Sequence, residues 1–218
     1  MSTRSLLSAG IVAGPAFLLV VLAQVLTRDG FDLRHHPISL LSLTDAGWVQ
    51  ITNFIVAGVL YALFAVGLAR VLAGGIGRRW VPRLVGVMAL GLVAGGIFVA
   101  DPGMGYPAGA PDGIPADLSW HGTLHAAAPP LSMVALAAAA LVMARRHRAG
   151  GEPGWARYTA LTALAALVVP AVPHADSMSW RIVVGLVAGF AWLTALGVRE
   201  RRRAHQPTVA GQPAYAGS

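Results

Sequence analysis

Six long apolar runs, separated by short polar connections, make up most of this 218-residue chain. A helix needs about 20 mainly apolar residues to cross the hydrocarbon core of a bilayer. Charged residues are only 11% of the chain, against about 25% in a typical soluble domain, which is too few to cover a water-exposed surface. The pattern therefore predicts an all-α protein, a six-helix transmembrane bundle with spans at Leu6–Leu26, Trp48–Leu72, Leu84–Ala100, Leu124–Ala144, Tyr158–Val172 and Ile182–Val198.

The two ends of the chain flank this bundle. The first apolar run is longer than the stretch of about 7–15 residues found in a signal peptide, so we expect an uncleaved anchor. We predict one transmembrane domain over residues 1–198 and a cytoplasmic tail over residues 199–218, which is basic at first and then polar and disordered.

Arginines set the predicted orientation. The chain has no lysine, and 13 of its 16 arginines fall on one side of the predicted spans, namely Arg4, Arg70, Arg78, Arg79, Arg83, Arg145, Arg146, Arg148, Arg157, Arg199, Arg201, Arg202 and Arg203. Basic residues accumulate on the cytoplasmic side of membrane proteins, so both termini are predicted to be cytoplasmic. Topology accounts for these arginines, and we expect no nucleic-acid binding.

Pairs of glycines four residues apart indicate close helix packing. They occur at Gly10–Gly14, Gly91–Gly95 and Gly185–Gly189, on the first, third and sixth spans. Such spacing lets helix backbones approach each other within lipid.

Polar, titratable residues collect on the opposite, outer side. Five of the seven histidines and seven of the nine acidic residues fall in or beside the three outer connections. The absence of cysteine excludes disulfides, thiol nucleophiles and cysteine-ligated metals. Chemistry, if the protein performs any, is therefore expected on the outer face.

His121 and His125 are the first candidates for a metal site. Residues four apart share one face of a helix, and two imidazoles at this spacing can reach one metal ion. The third ligand would be Asp101 or His174, with His35 and His36 as alternatives. Ligands without thiolate suit zinc best, and also iron or manganese. Two alternatives stay open for the same histidines: ordinary hydrogen bonds to loop carbonyls or waters, which the weak H-x-x-x-H signal favours, and acid–base chemistry without a metal.

Three further outer residues are candidates for catalysis. Asp101 directly follows the third apolar run, at a depth where an ionisable group usually has a partner or a function, and burial would make it a proton donor. Ser39 is a candidate nucleophile or the start of a turn. Arg34 would clamp a phosphate or carboxylate, or pair with Asp32. His36 completes the predicted catalytic set of Asp101, His125, His36, Ser39 and Arg34.

The segments that carry these residues resemble the bacterial "domain of unknown function 998" membrane family. The resemblance rests on FDLRHHPISLLS at residues 31–42, on GWVQITNF at 47–54, and on FVADP and SWHGTLH at 98–102 and 119–125. It extends over roughly residues 5–200 and implies a six-span protein of the bacterial cytoplasmic membrane. Its recurrent polar positions correspond to His36, Pro37, Ser39, Asp101, Gly122 and His125, and it implies no common activity.

Two functional hypotheses follow. The first is a membrane-embedded enzyme that acts on a lipid or isoprenoid, by metal-assisted hydrolysis or by Asp101 general-acid chemistry such as cyclisation. The second is a non-catalytic protein that binds a lipid or small molecule or organises partners. Transport is less consistent with the chain, because no charged residue lies in the middle of a span.

Overall fold

A computed structural model describes residues 1–171 and 178–204 of the chain, and in these ranges the fold is entirely helical. The helices are α1 (Thr3–Thr27), α2 (Gly47–Val71), α3 (Trp80–Ile97), α4 (Trp120–Ala149), α5 (Pro153–Ala171) and α6 (Met178–Arg203), with a 3₁₀ helix at Ile38–Ser42. Within the described residues, five helices are long and apolar enough to cross a membrane, namely α1, α2, α3, α4 and α6. The all-α prediction and the multi-pass membrane character are therefore confirmed.

Helix ends differ from the predicted span ends, because hydropathy marks the apolar part of a helix and not its full length. The helix α4 begins at Trp120 and continues to Ala149, beyond the predicted Leu124–Ala144 on both sides. The helix α6 continues to Arg203, so the predicted domain boundary at residue 198 falls inside a helix. Residues 205–218 lie outside the described ranges.

The helices form a ring in which each packs against the next along the chain, and α6 closes the ring against α1. Glycines bring neighbours together as predicted: a Cβ on Gly10 would lie 2.2 Å from the ring of Phe64, and one on Gly91 would lie 1.9 Å from Ser132 Oγ. Inside the bundle, Phe17 packs edge-to-face against Phe190 and Tyr61 packs tilted against it, with centroid distances of 5.6 and 5.1 Å. Close backbone approach and aromatic packing thus bring the helices of the bundle together in lipid.

Ion pairs close one end of the ring, which we call the arginine end. It comprises the start of α1, the end of α6 and the α2–α3 and α4–α5 connections. Glu152, between α4 and α5, accepts hydrogen bonds from Arg199 and Arg203 of α6, and its other oxygen lies 2.9 Å from His147 Nδ1. Partial burial alone would raise the pKa of the Glu152 carboxyl, but the bonds from His147 and Arg199 outweigh it and lower that pKa.

The other end, which we call the histidine end, is tied by hydrogen bonds between connections that are distant in sequence. His36 in the α1–α2 connection bonds the Met104 carbonyl in the α3–α4 connection over 3.0 Å. Ser179, at the start of α6, donates to the His35 carbonyl over 2.8 Å. These contacts position the candidate site.

Candidate functional site

His125 is a buried histidine with one ring nitrogen left for chemistry. It lies early in α4, and its exposure is only 6%. Its Nδ1 is 2.7 Å from the carbonyl oxygen of Phe98. A carbonyl can only accept, so Nδ1 carries the proton, and in the neutral ring Nε2 is an acceptor. In the part of the chain that the structure describes, this Nε2 has no hydrogen-bond partner.

The residue lines an apolar cavity of about 110 Å³. The cavity lies between α2, α3, α4, α6 and the 3₁₀ helix, and most of its wall is aliphatic or aromatic. Besides His125, its polar lining residues are Ser39, Ser132 and Ser179. Ser132 donates to the Ala128 carbonyl and Ser179 to that of His35. The Ser39 hydroxyl has no hydrogen-bond partner within residues 1–171 and 178–204.

Local sequence explains why there is space beside His125. Gly91 and Gly95 of α3 face the cavity without side chains. Pro129, in α4, has no N–H, so the helix lacks the donor that would normally bond the carbonyl four residues earlier, that of His125. The cavity lining therefore includes a residue, His125, whose Nε2 is an acceptor in the neutral ring and whose backbone carbonyl lacks its usual helical partner.

A groove lies next to the cavity, on the surface between α4, α5 and α6. Its volume is about 360 Å³, and it shares Pro129, Met133 and Ile182 with the cavity. The remaining lining residues are apolar, and Val134 and Leu167 on it are 56% and 39% exposed. We call this surface the lateral groove. Pro129, Met133 and Ile182 therefore lie between the cavity and the apolar exterior of the bundle.

Both carboxylate oxygens of Asp101 accept hydrogen bonds from Ser119, the residue directly before α4. Its Oδ2 accepts from the Ser119 backbone N–H at 2.7 Å, and its Oδ1 accepts from Ser119 Oγ at 2.6 Å. A Cβ on Gly122 would lie 2.0 Å from Oδ2, so only glycine leaves room for the carboxylate. A negative charge at a helix N-terminus is favourable. The structure thus gives Asp101 a role in joining α3 to α4, and it does not line the cavity.

His36 uses both of its ring nitrogens in the fold. Its Nδ1 accepts from the Asp32 backbone N–H at 2.9 Å, so its Nε2 carries the proton and donates to Met104. The ring packs against Phe31 and Tyr106 in a cluster of three rings, with centroid distances of 5.4 and 5.3 Å. Neither nitrogen is available to a metal or a substrate while these bonds persist.

The other predicted residues are spread over the histidine end. His121 is exposed and stacks on Trp120 with a centroid distance of 3.6 Å. Arg34 is exposed, and its backbone N–H bonds Asp32. That bond and one from His35 lower the pKa of the Asp32 carboxyl. His174 lies outside the described residues. Among the described ones, no three His, Asp or Glu side chains form a group that could hold a metal ion. The predicted zinc site stays a prediction.

Of the predicted set, the structure therefore brings Ser39 and His125 to one cavity and uses Asp101 and His36 elsewhere. The sequence reasoning missed Ser132, Ser179 and Pro129 as cavity residues. The one signal for Ser132 was a hydroxyl in the middle of the apolar α4 run, opposite the Gly91 of α3.

A family model described as "Protein of unknown function (DUF998)" matches residues 11–199. The chain belongs to the DUF998 family. The resemblance found in the sequence is confirmed over nearly the same range. No curated protein and no solved structure matches the chain. The DUF998 description assigns no activity, so the function of this member has to be argued from its own cavity.

Proposed function

We propose that this DUF998 protein binds a lipid or isoprenoid alcohol from the bilayer, with the hydroxyl of the ligand in the cavity and its chain in the lateral groove. The observation that carries the proposal is the unpartnered Nε2 acceptor of His125 in an apolar cavity. The described protein supplies no donor to this imidazole nitrogen, and a ligand hydroxyl would supply one in apolar surroundings. We place this site in a six-span protein of the bacterial cytoplasmic membrane, with both termini cytoplasmic and the site toward the outer face.

The volume of the cavity determines which part of the ligand fits inside it and which part lies in the lateral groove. Since one water occupies about 30 Å³ of liquid, the cavity of about 110 Å³ equals roughly four waters. It holds a polar end and a few carbons, and no more. The lateral groove begins at the shared residues Pro129, Met133 and Ile182 and offers an apolar surface for the remaining chain.

The test compares farnesol with farnesene, which has the same isoprenoid skeleton without the hydroxyl. Each is titrated into the purified full chain in detergent, and binding is followed by thermal shift. We expect the wild type to bind farnesol about ten-fold more tightly, the equivalent of one hydrogen bond of about 1.4 kcal/mol. His125→Phe should remove this preference.

The matched control is His121→Phe, which changes an exposed histidine one turn earlier on the same helix. It should keep the preference for the alcohol. Equal binding of farnesol and farnesene to the wild type would overturn the proposal, and so would an unchanged preference in His125→Phe.

A second candidate function is ester hydrolysis or acyl transfer in the same cavity. It is favoured by one observation, namely that the Phe98 carbonyl fixes the tautomer in which Nε2 is a base, while the Ser39 hydroxyl lines the same cavity. In this scheme Ser39 Oγ attacks the ester carbonyl and Nε2 takes its proton. Nε2 then returns the proton to the leaving alcohol, and water releases the acyl group from Ser39.

A fluorophosphonate probe distinguishes catalysis from binding alone. Catalysis predicts covalent labelling at Ser39 that is lost in Ser39→Ala and His125→Phe and kept in Ser132→Ala, whose hydroxyl is already bonded to the Ala128 carbonyl. The absence of labelling at Ser39 would reject this scheme.

The zinc hypothesis has a separate test, which is metal analysis of the purified protein. One equivalent of zinc in the wild type, with a lower zinc content in His121→Phe, would support it.

A further inference from the structure

A second groove lies at the arginine end, between the last turns of α4 and the first turns of α5. Its volume is about 480 Å³. Its apolar lining consists of Leu141, Ala144, Pro153, Ala156 and Ala160, and Leu141 is 46% exposed. Its polar lining consists of three arginines, Arg145 and Arg148 on α4 and Arg157 on α5. We call it the basic groove.

These three arginines differ from Arg146, Arg199 and Arg203 at the same end of the bundle. Arg199 and Arg203 pair with Glu152, and Arg146 donates to the carbonyls of Gly74 and Ile76. The side chains of the basic-groove arginines are exposed, and within residues 1–171 and 178–204 they have neither an ion pair nor a hydrogen bond. Three positive charges thus surround one apolar groove without an acidic partner in the described fold.

We propose that the basic groove binds an anionic phospholipid, with its phosphate between the three guanidinium groups and an acyl chain along the alanine-lined floor. Guanidinium groups bond phosphate oxygens in pairs, and basic pockets between transmembrane helices suit anionic headgroups. The arginines provide the charge complement, and the small side chains of Ala144, Ala156 and Ala160 leave space for the chain. The site is separate from the cavity around His125.

Native mass spectrometry of the purified full chain measures this binding directly. Cardiolipin and phosphatidylglycerol are titrated against phosphatidylcholine with the same acyl chains. We expect the two anionic lipids to bind the wild type at least about ten-fold more tightly, and the preference to weaken as salt is raised. Substituting Arg145, Arg148 and Arg157 together by Gln should abolish the preference.

The matched control replaces Arg78, Arg79 and Arg83 by Gln, an equal change of charge at the same end of the bundle but outside the groove. It should reduce the affinity for cardiolipin less than about two-fold. Ala156→Trp, which fills the groove without changing the charge, should also weaken binding and does not depend on the triple variant folding.

Three outcomes would overturn the proposal. The first is an equal loss of affinity in both triple variants, which would indicate a diffuse effect of positive charge. The second is equal binding of phosphatidylcholine by the wild type. The third is binding of glycerol phosphate as tight as that of the lipids, since the acyl chain and the apolar groove would then contribute nothing.

Discussion

Gly91 is the position where a single methyl group tests the packing that forms the cavity wall. In Gly91→Ala the new Cβ would lie 1.9 Å from Ser132 Oγ, 3.2 Å from the Ala128 carbonyl oxygen and 3.3 Å from Ser132 Cβ. The first distance is far inside van der Waals contact, so α3 and α4 have to separate or Ser132 has to move. Overpacking of this kind costs about 1–3 kcal/mol.

The double variant Gly91→Ala/Ser132→Ala tests whether that cost comes from the contact with Ser132 Oγ. Removing Oγ deletes the 1.9 Å contact and leaves the two contacts above 3 Å, which a shift of a few tenths of an ångström relieves. We therefore expect most of the loss to be recovered, with a coupling of about 1–2 kcal/mol between the two substitutions. Ser132→Ala alone provides the remaining corner of the cycle.

The assay is reversible unfolding in mixed micelles, with the free energy of unfolding measured for each variant. Gly86→Ala is the control, because it lies on the same helix and a Cβ there would meet no atom within 4 Å. It should be neutral or stabilising, since alanine favours a helix over glycine by about 1 kcal/mol. If Gly91→Ala is as stable as Gly86→Ala, or if Ser132→Ala recovers nothing, the described contact of α3 with α4 is wrong.

Two further substitutions test the hydrogen bonds at the two ends of the bundle. Asp101→Ala should lower the free energy of unfolding by about 1.5–3 kcal/mol, because it removes two hydrogen bonds to a carboxylate. The control is Asp112→Ala, which replaces an exposed acid in the same connection and should change the free energy of unfolding little. Equal effects of the two substitutions would contradict the role of Asp101. Since the Glu152 pKa is lowered in the folded protein, its stabilising effect is present above the ordinary value of 4.5 and is lost as the pH falls through the lowered one. Thermal unfolding of Glu152→Gln between pH 7 and pH 3 should therefore be less pH-dependent than that of the wild type, and an identical profile would contradict this assignment.

The sequence was sufficient to predict the helices and to predict that the candidate site residues lie at the histidine end of the bundle. Apolar runs and clusters of arginine can both be recognised from residues that are close together in the sequence. Ser39 and His125 were predicted as site residues, and the structure brings both to one cavity. Helix ends were less accurate, since residues such as Trp120 and Arg203 remain helical where the apolar run has stopped.

Roles within the site depended on contacts that no local pattern encodes. His36 and Met104 are 68 residues apart, yet their hydrogen bond decides that the His36 ring is used by the fold. Asp101 had the depth expected of a proton donor, but Ser119, 18 residues later, occupies both of its oxygens. The spacing of His121 and His125 likewise does not show what surrounds each ring. His121 stacks on Trp120, whereas His125 is buried and bonds the Phe98 carbonyl.

In our proposal, His125 Nε2 accepts a hydrogen bond from the hydroxyl of a ligand. Nitrogen NMR of the protein with ¹⁵N-labelled imidazole rings, assigned by comparison with His125→Phe, measures this directly. We predict a His125 ring that carries a proton at Nδ1, with an Nε2 signal that shifts on addition of farnesol and stays in place on addition of farnesene. A ring protonated at Nε2, or an Nε2 signal that responds equally to both compounds, would contradict it.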